Sequence, residues 1–130
     1  MDDTNPKDIL GAQKVPLELV PPSSEIYQAL AMQNGLKYGP YNWRTKKVRA
    51  MVYVGALRRH MAAWLDGENI SPDSGVPHLG HALACLGILV DAIETGNLID
   101  DRPAAGGAAK LLDRIHNDRK KENKDGQTTT

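Results

Sequence analysis

The sequence predicts a small all-α domain, and three observations carry that expectation. Two long windows, about Thr45 to Leu65 and about Val76 to Thr95, are apolar at helical spacing and stop at Gly67 and Gly96. The punctuation around them (Asn34-Gly35, Gly39-Pro40, Ser71-Pro72) ends helices and opens loops. No segment alternates convincingly as a strand, although Val52-Tyr53-Val54 is locally strand-like.

Taken in order, residues 1–22 hold four of the eight prolines and little periodicity, so an extended arm is expected, anchored by Leu17, Leu19 and Val20. Ser23-Ser24-Glu25 marks the first helix, with a serine N-cap and an acid in the first turn. That helix is short and stops at Asn34-Gly35. Lys37 to Arg44 reads as a loop, because Gly39-Pro40 cannot continue a helix. The second helix is apolar on most faces and is therefore expected to be central and buried. Glu68 to Gly75 is a polar turn. The third helix opens at Val76-Pro77, proline being tolerated in a first turn. Asn97 to Pro103 is a loop. A fourth helix covers about Ala108 to Arg119, with Leu111, Leu112 and Ile115 on one side. Residues 23–119 are thus expected to form one helical domain, and 120–130 a disordered polar tail. No internal repeat is visible.

At 130 residues the chain makes one domain. Such a length buries about two-thirds of its unfolded surface without staples. The charges balance, 16 against 16, which gives no reason to expect nucleic-acid or membrane attraction of the whole chain. One cysteine leaves no intrachain disulfide framework and fits a reducing compartment. The N-terminus lacks the basic and apolar regions of a secretory signal. No apolar run reaches the roughly 20 residues of a membrane span. A cytoplasmic protein is expected.

The neutral total hides a local bias. No acid lies between Glu25 and Asp66, and that interval holds Lys37, Arg44, Lys46, Lys47, Arg49, Arg58 and Arg59. All six aromatics also fall there. Basic groups interleaved with rings can hold phosphate and base together; the bland alternative is a solvated helix face with aromatics in the core. Helical spacing puts Tyr53, Leu57, His60 and Trp64 on one stripe, and His78, His81, Cys85 and Leu89 on another. Two histidines at i, i+3 with a cysteine one turn on can chelate a soft metal, but such histidines are more often hydrogen-bonded core residues. Gly80, Ala84 and Gly87 form a thin face that admits a second helix closely, with Asp91 at its edge. Asp91 and Glu94 form either a ligand pair or an exposed helix end. A helix apolar nearly all round should bury part of the Arg58-Arg59 pair, and a buried ion needs a partner. Either Glu68 or Asp73 pairs with Arg59, or Arg59 meets a phosphate while those acids hold a hard cation.

Several ordered motifs now stand together: Asn5-Pro6-Lys7-Asp8, Lys37-Tyr38-Gly39-Pro40-Tyr41-Asn42-Trp43-Arg44, Ala56-Leu57-Arg58-Arg59-His60, Trp64-Leu65-Asp66-Gly67-Glu68, Ser74-Gly75, His78, His81 and Ile99-Asp100-Asp101-Arg102-Pro103. In this order they resemble the phage-associated domain named for the N-terminal part of dATP/dGTP diphosphohydrolases, over about residues 5 to 103. The resemblance implies a phage or prophage protein, in an infected or lysogenic bacterial host, that handles purine deoxynucleotides. All-α NTP pyrophosphohydrolases carry Glu-x-x-Glu on one helix and Glu-x-x-Asp on the next to hold magnesium, and neither of the two long apolar helices here has such a pattern.

Three readings remain open. In the first, the protein is a dNTP pyrophosphohydrolase yielding dNMP and pyrophosphate. Glu68 and Asp73, with His78 or His81, would hold Mg2+ or another divalent metal. His60 and Glu68 would carry the proton and catalytic chemistry. Lys37, Arg44 and Arg59 would neutralise phosphate, Tyr41 or Trp43 would stack on the purine, and Asn42 would read a base edge. In the second, the same loop binds a nucleotide and sequesters it uncleaved, as a sponge for a defence signal. In the third, the domain is a helical assembly subunit without nucleotide affinity. A homo-oligomer is expected in any case, because four short helices give limited cover to two apolar ones.

Overall fold

The computed structural model describes residues 3–125. Six helices and one two-stranded sheet follow one another as α1 (Pro6–Gly11), α2 (Pro22–Asn34), α3 (Asn42–Thr45), β1 (Val48–Arg49), α4 (Ala50–Leu65), α5 (His78–Glu94), β2 (Leu98–Ile99) and α6 (Ala108–Lys124). The all-α class holds. No helix among the described residues is long and apolar enough to cross a membrane.

The centre of the fold is α5, which packs against α2 on one flank and α4 on the other. The central helix is thus the third of the long ones, not the second as the apolar pattern suggested. Six residues of α5 are buried: His78, Gly80, Ala82, Ala84, Cys85 and Ala92. Only Ala50 is buried in α4. The difference lies in size, since small side chains let both neighbours close on α5. A Cβ on Gly80 would stand 2.5 Å from the Tyr27 carbonyl oxygen, and one on Gly87 would collide with the Gln28 amide. The thin face expected from sequence is where α2 docks. Two small clusters fill the seams. Ala31, Val76 and Ala84 make one, and Trp43, Val48 and Ala92 the other, with Met32 packed against both.

Other elements depart from the sequence reading for identifiable reasons. The N-terminal arm is not extended throughout, because Asn5 caps α1 by accepting a hydrogen bond from the Lys7 N–H at 3.0 Å. Its supposed anchors are exposed: Leu17 by 75%, Leu19 by 77% and Val20 by 58%. Helix α2 starts one residue before Ser23, with Pro22 in its first turn and Pro21 at the cap position. Ser24 instead donates its hydroxyl to the Pro21 carbonyl at 2.8 Å. The Lys37–Arg44 loop contains a 3-10 turn and the single turn α3.

Helix α4 begins at Ala50 rather than Thr45 because Val48-Arg49 pairs in parallel with Leu98-Ile99. Its first turn is then capped from a distance: Asp101 Oδ1 accepts the Met51 N–H at 2.8 Å. That contact gives the Asp100-Asp101-Arg102 motif a structural role, completed by the Asp100–Arg102 ion pair at 2.7 Å. Helix α6 is exposed along its length and continues to Lys124, five residues past the expected end, into the stretch assigned to the tail. The remainder of that tail, 126–130, lies outside the described residues.

Two of the helical glycines make opposite predictions. Alanine normally stabilises a helix over glycine by about 1 kcal/mol. At Gly80 the new methyl meets backbone, so Gly80→Ala should lower stability by about 1–3 kcal/mol in denaturant titrations. At Gly55 the nearest atom is Arg59 Nη1 at 3.2 Å, the far end of a flexible side chain. Gly55→Ala should therefore raise stability by about 0.5–1 kcal/mol.

Candidate functional site

Because α5 is flanked on both sides, it floors a cleft walled by α2 and α4. The cleft measures ≈ 1210 Å³, and the Gly35–Arg44 segment closes one end. Its walls are largely apolar, with Ala29, Met32, Tyr53, Ala56, Ala84 and Ile88 among them. His60 and His81 line it toward the start of α5, and Arg44 and Asp91 toward the end. Arg44 is the one lysine or arginine in that lining.

The loop end is built around Asp91. Arg44 donates to it through Nε at 2.8 Å and Nη2 at 3.0 Å, and the Trp43 indole N–H donates at 2.6 Å. A forked guanidinium and a second donor on one carboxylate form a strong, oriented anchor. Asp91 is held below the usual carboxylate range by the Arg44 hydrogen bond first and the Trp43 bond next. The Asn97 amide donates to the carbonyls of Trp43 and Arg44, closing α3 from the other side. Tyr41 takes a left-handed backbone, φ 54°, uncommon outside glycine. Its ring lies 5.1 Å from Trp43 and carries the Arg44 guanidinium at 4.6 Å.

These contacts divide the expected binding residues. Trp43 is buried, packed among Val48, Ala92, Ile88 and Leu98. Of the two rings expected to stack, Tyr41 is therefore the exposed one. Asn42 is partly buried, and Arg44 is half exposed. Lys37 is exposed and lies over Tyr38. Arg59 is exposed, as is Arg58, contrary to the expected burial of part of the pair. Neither needs an acid, because α4 flanks the core and turns that face to water. No Arg59–Glu68 or Arg59–Asp73 pair forms among the described residues.

The other end is a chain of imidazoles. His78 is 5% exposed, and both its nitrogens are engaged. Nε2 meets Glu68 Oε1 at 2.7 Å, and Nδ1 meets His60 Nδ1 at 2.9 Å. His81 stacks on His60, with ring centres 4.5 Å apart and planes 13° apart, and its Nε2 meets Ser74 Oγ at 2.7 Å. His60 is held below the ordinary histidine value by burial, then by His81, His78 and Arg59. His81 is lowered by burial and then by His78. Burial pushes the Cys85 thiol up, consistent with core filling.

This donor set does not fit magnesium on a single chain. A hard cation needs converging oxygens. Glu68 is taken by His78, Asp91 by Arg44 and Trp43, and Asp73 and Glu94 are exposed. Among the described residues no group of three or more His, Cys, Asp or Glu side chains is placed to hold a metal ion. His78, His81 and Cys85 do not converge as a soft-metal site for the same reason. Sequence reasoning missed the α2 wall, with Gln28 and Met32, and the anchoring roles of Asp91 and Asn97. The glycine stripe signalled a close helix, but not which one.

A family model described as dATP/dGTP diphosphohydrolase, N-terminal, matches residues 4–102. The chain belongs to that family. No curated protein and no solved structure matches it.

Two predictions come from the two ends of the cleft. Asp91→Ala removes the acceptor for three donors and should destabilise the fold, read as a lowered melting temperature with faster proteolysis in 37–44. For the histidines the sign is set by lowered folded-state values. The unfolded chain takes protons below the ordinary value of 6.5 that the folded His60 and His81 refuse. Stability is therefore full above that value and falls as pH drops through it. Thermal melts between about pH 7.5 and 5.5 should show the decline, and His60→Gln should flatten it.

Proposed function

We propose that this member of the dATP/dGTP diphosphohydrolase N-terminal family binds a purine deoxynucleotide in the cleft between α2 and α4. The reading is carried by one observation: a largely apolar cleft whose single strong cation, Arg44, stands at one end beside an exposed tyrosine. Apolar walls suit a nucleoside, and a guanidinium at the mouth suits its phosphates. Lys37, whose ammonium lies 5.3 Å from the ring of the lining residue Tyr38, adds positive charge nearby, and the Tyr41 hydroxyl and Asn42 amide add donors. Arg44 keeps its bond to Asp91, so it meets the phosphates already oriented. The residues support holding a nucleotide more directly than cleaving it, since the carboxylates are committed to protein partners. Sequestration is therefore the favoured form of nucleotide handling, with release of dNMP and pyrophosphate as the alternative.

The test compares dATP with deoxyadenosine by calorimetry. Wild-type protein should prefer the triphosphate by roughly 10- to 100-fold, and Arg44→Ala should abolish most of that preference. Equal affinities in the wild type would refute the phosphate assignment. Intact dATP recovered after prolonged incubation supports sequestration, whereas liberated pyrophosphate supports the hydrolase.

A second copy of the chain is part of this reading. The face of α5 opposite the cleft carries Leu86, Val90 and Ile93, exposed by 46%, 59% and 58%. No large side chain among the described residues is fully buried. A thin core with an apolar stripe left in water favours association. Light scattering on the eluting protein should give at least a dimer, and Val90→Lys with Ile93→Lys should shift it to monomer. A monomeric wild type would remove this part of the proposal.

A further inference from the structure

We propose that His60 reads the nucleobase, its Nε2 lone pair accepting a hydrogen bond from a base N–H, and that Glu68 and His78 are positioning residues that fix its polarity. The inference rests on the nucleotide reading above and adds which end of the cleft takes the base.

The polarity follows from the acceptor at the end of the chain. A carboxylate only accepts, so Glu68 requires His78 to carry its proton on Nε2. Taken in its single-proton form, His78 offers a lone pair at Nδ1. His60 must donate to it from its own Nδ1, and this leaves the His60 Nε2 as a lone pair. That nitrogen has no hydrogen-bond partner among the described residues. It lies on the ring edge away from His78, and His60 lines the cleft while His78 does not. Stacking on His81 holds the ring plane, and Ser74 holds His81 in turn.

A lone pair is the wrong partner for phosphate oxygens, which are acceptors themselves. It is the right partner for an N–H donor, such as the 6-amino group of adenine or N1–H of guanine. The nearby lining (Ala56, Ala84 and Cys85) is apolar and suited to a flat ring. His81 and Asp91 are ten residues apart on α5, about 15 Å at 1.5 Å per residue. Base and phosphates therefore have separate ends of one cleft, with the sugar between them.

Two measurements test this on the full chain. Long-range proton–nitrogen spectra of the ligand-free protein report each imidazole's tautomer. His60 should be protonated on Nδ1 and His78 on Nε2, and Glu68→Gln, whose amide can donate as well as accept, should relax His60 to a mixture. Separately, dATP should bind about tenfold more tightly than the triphosphate of purine 2′-deoxyriboside, which lacks the 6-amino group. That preference should shrink in Glu68→Gln and vanish in His60→Phe. Protonation of His60 on Nε2, a doubly protonated His78, or equal wild-type affinity for the two triphosphates would overturn the proposal. Binding of neither triphosphate would overturn the nucleotide reading itself, an outcome distinct from equal binding of both.

Discussion

At Gly80 the backbones of α2 and α5 come so near that a single methyl would stand 2.5 Å from the Tyr27 carbonyl oxygen. That approach sets the rest of the geometry. It brings α2 alongside α5 over Gly80, Ala84 and Gly87, leaving the opposite flank for α4. With a helix on each flank and small side chains along its own surface, α5 becomes a floor rather than a filled core. The cleft exists because the space above that floor is not occupied by a further helix of the described chain. Packing and site are thus one constraint seen twice.

The polar residues follow the same division. At the C-terminal half of α5, Asp91 and the following Asn97 gather the Trp43-Arg44 turn onto the helix. At the N-terminal half, His78 and His81 meet His60 across the α4 seam, and Glu68 meets His78 from the turn between α4 and α5. The loop that looked like a free binding segment is therefore half structural. Trp43 is spent on packing and Arg44 is shared between an internal acid and the open cleft. What remains for a ligand is a smaller and better oriented set of groups than the sequence suggested.

Much of this was legible and some was not, for physical reasons. Helical periodicity and the glycine and proline punctuation located the three long body helices, and the small-residue stripe on α5 announced a close neighbour. Which helix was central could not be read from hydrophobicity, because α4 and α5 are both apolar and side-chain size decided it. The parallel pairing of Val48-Arg49 with Leu98-Ile99 joins residues about fifty positions apart, and two-residue strands leave no alternation to detect. Asp101 capping α4 is equally non-local. The histidines stood out in the sequence, but spacing along one helix suggested chelation, whereas their partners lie on α4 and in the turn. A carboxylate's role is set by what faces it, and that information sits in another part of the chain.

The central claim is that one cleft holds a nucleotide with its base against the imidazoles. Photolabelling with 8-azido-dATP, followed by peptide mapping, addresses it most directly because the reactive group is on the base. Saturable labelling, competed by unmodified dATP, is expected in the α4 and α5 peptides that carry His60 and His81. Labelling confined to α6 or to the N-terminal arm, or labelling that dATP does not compete, would contradict it.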